Sequence, residues 1–380
     1  MSFEPKYIRH DTWDFRKSSI FDNMMSKHGD RVQKRQFMLL LIIAGALFAM
    51  IFVFSLSATL SEWYISVIYP VVGAILSSVS TLFPFSLYDI FLILAVLLLV
   101  KLILFAIIRK ITFSKFLFSL IRFVTVIVAW FYFSWGIAYF REDFYERSDV
   151  AEMTFDPEIF RDFAVRFIDH ANRYYADCTD MAKNDVRRKV ELSYQALHQS
   201  LKVSYPNGKR RVKPMMFETV YSKMGVSGYF GPFFNEIHVN NYSLNFTYPF
   251  TLAHEMAHQF GIAPESEANL YAFVVCARSS DERIRYSAYA STLRYVLNDI
   301  RRFLPEEYES LALSIRTEII ADLQRNREHW LAARDESLSE MQDKMYDAYL
   351  KTNKVSSGQA NYSEVVGLLV SYGILAELPQ

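Results

Sequence analysis

The chain reads as an α-rich protein in two parts: N-terminal transmembrane helices, then a mainly helical domain with a small β edge element. Three observations predict this. Long, nearly uncharged apolar runs crowd the first 140 residues; from Arg141 charged residues return at helical spacing; and a glycine-punctuated stretch, 212–239, has strand character. Apolar residues make up 52% of the chain and aromatics 16%, more than a soluble domain needs, which fits a membrane portion joined to a polar one. Lys+Arg and Asp+Glu are both 41, so no global basic field argues for a nucleic-acid partner.

Residues 1–36 are polar and of mixed charge, and form a cytoplasmic N-terminal segment. The apolar run after them starts too late and runs too long for a cleavable signal. Residues 37–60 are almost free of charge and long enough to cross a bilayer. Further runs cover 87–108, with Lys101 inside, and 116–140, with Arg122 inside; both cations lie near the 109–115 end and can snorkel there. Residues 65–85 contain Pro70, Gly73, Pro84 and several serines, and read as an interfacial or re-entrant segment rather than a fourth span. The membrane domain is therefore 37–140, with about three spans plus an interfacial segment. Lys34, Arg35, Arg109, Lys110 and Lys115 set the orientation, since 61–86 has no Lys or Arg. The positive-inside rule puts the N-terminus and the 109–115 loop in the cytoplasm. The chain is expected in the cytoplasmic membrane as a multi-pass protein, with residues 141–380 outside the cytoplasm.

In the second part, Asp156 caps a helix that Pro157 opens, with Phe160, Phe163, Phe167 and Ile168 on one face. A second helix is expected at 186–201. The run Lys209–Lys213 reads as a solvated strand or loop edge, with anionic lipid as the less favoured partner. Residues 234–239 are a candidate strand, an edge against which an extended peptide can be laid. Helices are expected over 265–277, 281–303, 306–331, 333–350 and 365–378. Cys178 and Cys276 are not in a C-x-x-C arrangement and read as two buried free thiols rather than a bridge.

The most informative stretch lies between these elements. His254-Glu255-Met256-Ala257-His258 places two histidines four apart, so on a helix both imidazoles leave one face a turn apart. One tetrahedral Zn2+ can take both, with Glu255 beside it as general base for a metal-activated water. By average residue usage the pattern arises by chance in roughly one chain in a hundred of this length. Gly261 can end the helix and Pro264 can open another that carries acidic residues. A catalytic zinc takes three protein ligands, and Glu265 and Glu267 are the candidates for the third. Glu265 is preferred because Asn269, four residues on, can then support a ligand histidine through a hydrogen bond. Tyr229, His238 and Tyr286 are candidate donors to an oxyanion.

Those residues resemble the glutamate-zincin metallopeptidases, in which H-E-x-x-H is followed on a later helix by E-x-x-A-[DN]; here that is His254, Glu255 and His258, then Glu265-Ser266-Glu267-Ala268-Asn269. The resemblance implies a zincin-like domain with His254, His258 and Glu265 as metal ligands. The connection from His258 to Glu265 is shorter than in many such enzymes, and Glu267 stays open as the alternative. Over nearly its whole length the chain also resembles an uncharacterised bacterial membrane family, a domain of unknown function, with N-terminal spans, a P-F-T-x-x-H-E-x-A-H-Q-x-G core (Pro249 to Gly261) and an E-x-E-A-N helix start. The expected function is a membrane-anchored zinc metallopeptidase that acts on a protein or peptide. The alternatives are a non-catalytic zinc-binding receptor or scaffold and an intramembrane protease, which would need the histidines inside a span.

Overall fold

The computed structural model describes residues 15–152, 154–205, 207–353 and 364–373, with side chains from residue 35 onward. It is mainly helical. The N-terminal region consists of α1 (Phe15–Leu56), a nearly continuous helix over Ala58–Thr81, α4 (Leu87–Ile107) and α5 (Phe113–Ser134). The Ala58–Thr81 helix is α2 (Ala58–Trp63) and α3 (Tyr69–Thr81), joined by a π turn at Tyr64–Ile68. All four helices are long and apolar enough to cross a membrane. They are not alike. α4 and α5 bury almost nothing inside the protein, and α1 little more, whereas the Ala58–Thr81 helix buries a whole face. Both of its ends are also fastened to residues of the C-terminal part: Arg141 pairs with Glu62 near its start, and Ser80 and Thr81 bond to Glu236 and the Lys209 carbonyl at its end.

Beyond a 3-10 turn (Gly136–Phe140) and the short α6 (Phe144–Ser148), α7 (Pro157–Arg173) starts as expected. Asp156 accepts from the Glu158 and Ile159 amides, and Pro157 is the first helical residue. α8 (Lys183–Leu197) is next in the chain. A small three-stranded sheet succeeds it, with α9 (Glu218–Lys223) between its first two strands. β3 (Glu236–Val239) is central, parallel to β1 (Val212–Lys213) and antiparallel to β2 (Gly228–Gly231), so β2 is an edge strand.

α10 (Tyr248–Gln259) and α11 (Glu265–Ala277) form the centre of the domain. Every residue of α11 is buried, and all but Thr251 of α10. A helix can be sheathed on all sides only when its residues are apolar, small or internally paired, and Ala268 to Ala277 is such a run. α7, α8, α12 (Glu282–Phe303, capped by Asp281) and α16 (Val365–Ser371) supply the sheath. Of the closing helix expected over 365–378, residues 374–378 lie outside the described residues.

The helix expected over 306–331 is two: α13 (Tyr308–Leu313) and α14 (Thr317–Ala333). Asn172 on α7 explains the break, because its amide donates to the Ser314 carbonyl at 2.8 Å and its oxygen accepts from the Arg316 amide at 2.9 Å. Those backbone groups lose nothing by leaving the helix. α15 (Glu336–Thr352) then brings Tyr346 to Glu265 and Tyr349 to Phe131 of α5. Both cysteines are free and buried.

The Lys209–Lys213 run is a solvated edge only in part: Lys209 and Arg211 are exposed and β1 is an edge strand, but the other two cations are tied inward. Arg210 pairs with Glu191, and Lys213 is buried, its ammonium donating to the carbonyls of Ser80, Phe83 and Phe85. Next to it, Glu236 accepts from the amides of Leu87 and Tyr88 and the Ser80 hydroxyl. A cation thus meets the carbonyl end of α3 and an anion the amide end of α4, each matching the helix dipole it faces. This weld holds the α3–α4 turn against the sheet.

Candidate metal centre

α10 ends at Gly261, whose φ of +86° only glycine adopts without strain. Carbonyls at and just past this helix end accept from residues on or just beyond the apolar N-terminal helices. Trp135 Nε1 donates to His258 O at 2.7 Å, the Tyr69 hydroxyl to Gln259 O at 2.7 Å, and Arg141 to Gly261 O at 2.8 Å. The chain then turns tightly so that the first turn of α11 faces the last turns of α10.

That turn brings three of the expected residues together. His254, His258 and Glu265 each offer a ligand atom, all within 4.8 Å of one another. The nearest atoms form a small triangle: His254 Nε2 to Glu265 Oε2 is 3.0 Å, His258 Nε2 to the same oxygen 3.3 Å, and the two Nε2 atoms are 3.1 Å apart. Ligands held tetrahedrally at zinc distances of about 2.0–2.1 Å sit about 3.3 Å from each other, so the triangle has the right size. The far nitrogens fix its chemistry. His258 Nδ1 faces the Ile262 carbonyl at 2.7 Å, an acceptor only, and His254 Nδ1 faces Asn269 Oδ1 at 2.9 Å. Each Nδ1 therefore carries the hydrogen, and in the neutral ring each Nε2 points a lone pair at the carboxylate oxygen. Converging lone pairs need a cation or a proton between them, which is how these residues fit a metal.

Electrostatics agree. Burial would raise Glu265, but the two imidazoles outweigh it and hold its carboxyl well below the usual range. Burial would lower His258; the Glu265 carboxylate overcomes that and raises it to about 9, while burial keeps His254 low. A dication held here would compete with the proton that the Glu265 carboxylate favours on His258. Burial lifts Glu255 to about 8. It lies against β2 so closely that a Cβ on Gly228 would fall 2.6 Å from Glu255 Oε1; glycine is required there for the strand to approach the base.

Glu267, the alternative ligand, is buried and paired with Arg147. The three candidate oxyanion donors are all engaged elsewhere. His238 contacts Ser86 Oγ at 2.9 Å and stacks on Tyr229, whose hydroxyl donates to Asp89, while the Tyr286 hydroxyl donates to Asp322. Two further residues at the centre lie outside anything the sequence motif marks. Tyr346 of α15 donates its hydroxyl to Glu265 Oε1, leaving Oε2 for the triangle. Trp135, one residue past α5, lies with its ring 6.3 Å from that of His258. Nothing local marks Tyr346, which sits in a charged helix; Trp135 is marked only as an aromatic at the end of an apolar run.

Residues 64–370 match a family model described as a protein of unknown function, DUF3810. The chain belongs to this family. The match takes in the apolar helices α3, α4 and α5, the weld and the candidate metal centre together. No functionally curated protein matches the chain, and no solved structure does.

Proposed function

We propose that the chain is a membrane-anchored, zinc-dependent metallopeptidase. The observation that carries this is the triangle of two imidazole nitrogens and one carboxylate oxygen, with a second, buried carboxylate, Glu255, on the residue next to His254. Zinc bound there supplies two things: a water acidic enough to lose its proton near neutral pH, and a positive charge for the carbonyl oxygen under attack. Glu255 takes the proton from the attacking water and delivers it to the leaving amine. Asn269 and the Ile262 carbonyl hold the two rings in the ligating tautomer, and Tyr346 holds Glu265.

For the topology, α1, α4 and α5 are read as spans and the Ala58–Thr81 helix as lying along the domain, to which both of its ends are tied. The 109–112 turn and its cations then lie across the bilayer from the metal centre, and the positive-inside rule assigns the centre to the extracytoplasmic side. Tag accessibility at residue 200 in intact cells tests this.

Glu255→Gln tests the chemistry. The variant keeps one zinc per chain and loses hydrolysis by about 10²–10⁴-fold, the usual share of a general base. Full biological function in that variant favours the non-catalytic scaffold.

A further inference from the structure

The metal centre is not carried on a stalk above the membrane helices; it is built on their ends. The His258 ring, 6.3 Å from Trp135, is one aromatic contact away from the residue just past α5. The β2–β3 hairpin reaches lower still. Trp130, four residues inside the end of α5, donates Nε1 to the Phe233 carbonyl at 2.9 Å. The Phe233 ring lies 4.5 Å from Phe91 on α4 and 6.2 Å from Phe131 on α5. The tip of the hairpin is therefore sunk about one helical turn, roughly 6 Å, below the end of α5. Beside it, Met216 and Phe217 are exposed, and the Met216 amide is held by Asp89 in the first turn of α4 at 3.0 Å. Apolar side chains displayed at that height belong in the interfacial layer of a bilayer.

From this sunken tip, β2 climbs to the catalytic base. Gly231 packs on Tyr88 of α4, Phe230 lies 5.3 Å from Trp135, and Gly228 meets Glu255. Three extended residues cover only about 10 Å. The strand has a free edge. Among the described residues it pairs with β3 alone, and Asn240 N donates to Ser227 O at 2.8 Å. Because hydrogen-bonded pairs alternate along an antiparallel ladder, the N–H and C=O groups of Gly228 and Phe230 face away from β3. An extended segment that adds to this edge runs from the membrane surface to Glu255.

We propose that the substrates are membrane-tethered polypeptides, which enter along the free edge of β2 and are cut within roughly the first six residues outside the bilayer. This rests on the peptidase reading and on α1, α4 and α5 as spans. The reaction is simple hydrolysis: the oxygen of water joins the carbonyl carbon, the C–N bond breaks, and the amine leaves with the proton that Glu255 returns.

The test uses the full chain, zinc-loaded and reconstituted in phosphatidylcholine–phosphatidylglycerol vesicles, with Glu255→Gln as the control. Three probes carry one randomised octapeptide library: fused directly to a Leu/Ala transmembrane helix, fused to that helix through a long Gly/Ser spacer, or free in solution. Cut sites and rates are read by mass spectrometry. The proposal expects the directly fused library to be cut about tenfold faster or more than either of the others, because tethering fixes both concentration and register. Its cuts cluster next to the helix. Equal rates for the free or spaced library overturn the tethering proposal and leave the peptidase reading intact. No cleavage of any library by zinc-loaded chain removes the peptidase reading, and this proposal with it.

Discussion

Two buried clusters of histidine and carboxylate lie close to the apolar N-terminal helices, and they are built on opposite plans. In the weld, Lys213, Glu236 and Asp89 spend their polar atoms on fixed partners: the carbonyls of Ser80, Phe83 and Phe85, two amides at the start of α4, the Ser80 and Tyr229 hydroxyls and the Met216 amide; His238 meets Ser86 Oγ through Nε2, while its buried Nδ1 has no hydrogen-bond partner among the described residues. In the metal centre, partners hold only the far side of each group. Asn269, the Ile262 carbonyl and Tyr346 grip it from behind, while two nitrogens and an oxygen converge 3.0–3.3 Å apart. Residue type does not separate a fastening from a binding site, and burial does not either. What separates them is whether the polar atoms are spent on the protein or aimed together at a shared point.

The comparison predicts opposite phenotypes. Removing a member of the centre costs metal and little stability; removing a member of the weld costs stability and no metal. The largest effect is expected for His258→Ala and Glu265→Ala, which should weaken zinc by more than the roughly hundredfold that supporting partners control. Equilibrium dialysis against a competing chelator measures it. Next, Lys213→Met strands a buried Glu236 and should cost about 3–5 kcal/mol, read as a lowered melting temperature in detergent with one zinc still bound. If Lys213→Met instead loses zinc at an unchanged melting temperature, the two clusters are not separate devices.

Smaller effects sharpen the contrast. Tyr346→Phe frees Glu265 Oε1 and should weaken zinc about tenfold while leaving the fold intact, as the loss of a hydrogen bond that orients a ligand does. The weld has its own pH signature. Burial pushes His238 down to about 3, whereas an unfolded histidine takes up its proton near about 6.5. Between those values the unfolded chain binds more protons, so stability falls as pH drops through that window. The melting temperature of His238→Gln should fall less steeply over the same range. An unchanged slope would mean that other groups set the acid sensitivity.

The centre is more legible in the sequence than the weld is, for a physical reason. His254, His258, Glu265 and Asn269 lie within 16 residues on two consecutive helices, so helical periodicity and one tight turn determine their meeting. Helix starts at Asp156 and Asp281 are readable because a cap acts on the next two or three amides. The weld joins residues far apart in the chain: Ser80 and Glu236 are 156 apart, and Asp89 and Tyr229 are 140 apart. No local signal states that Lys213 will be buried, because the carbonyls that stabilise its charge belong to a distant helix end. His238 escapes a sequence reading for a related reason. A strand offers two faces, and the sheet's packing against α4 decides which one a histidine takes.

Zinc-edge X-ray absorption on the purified full chain tests the central claim most directly. The account predicts one zinc per chain, with two imidazole nitrogens and a carboxylate oxygen at about 2.0–2.1 Å in its shell, a signature lost in Glu265→Ala and kept in Glu267→Ala. A chain that takes up no zinc, or a spectrum unchanged by Glu265→Ala, would contradict it.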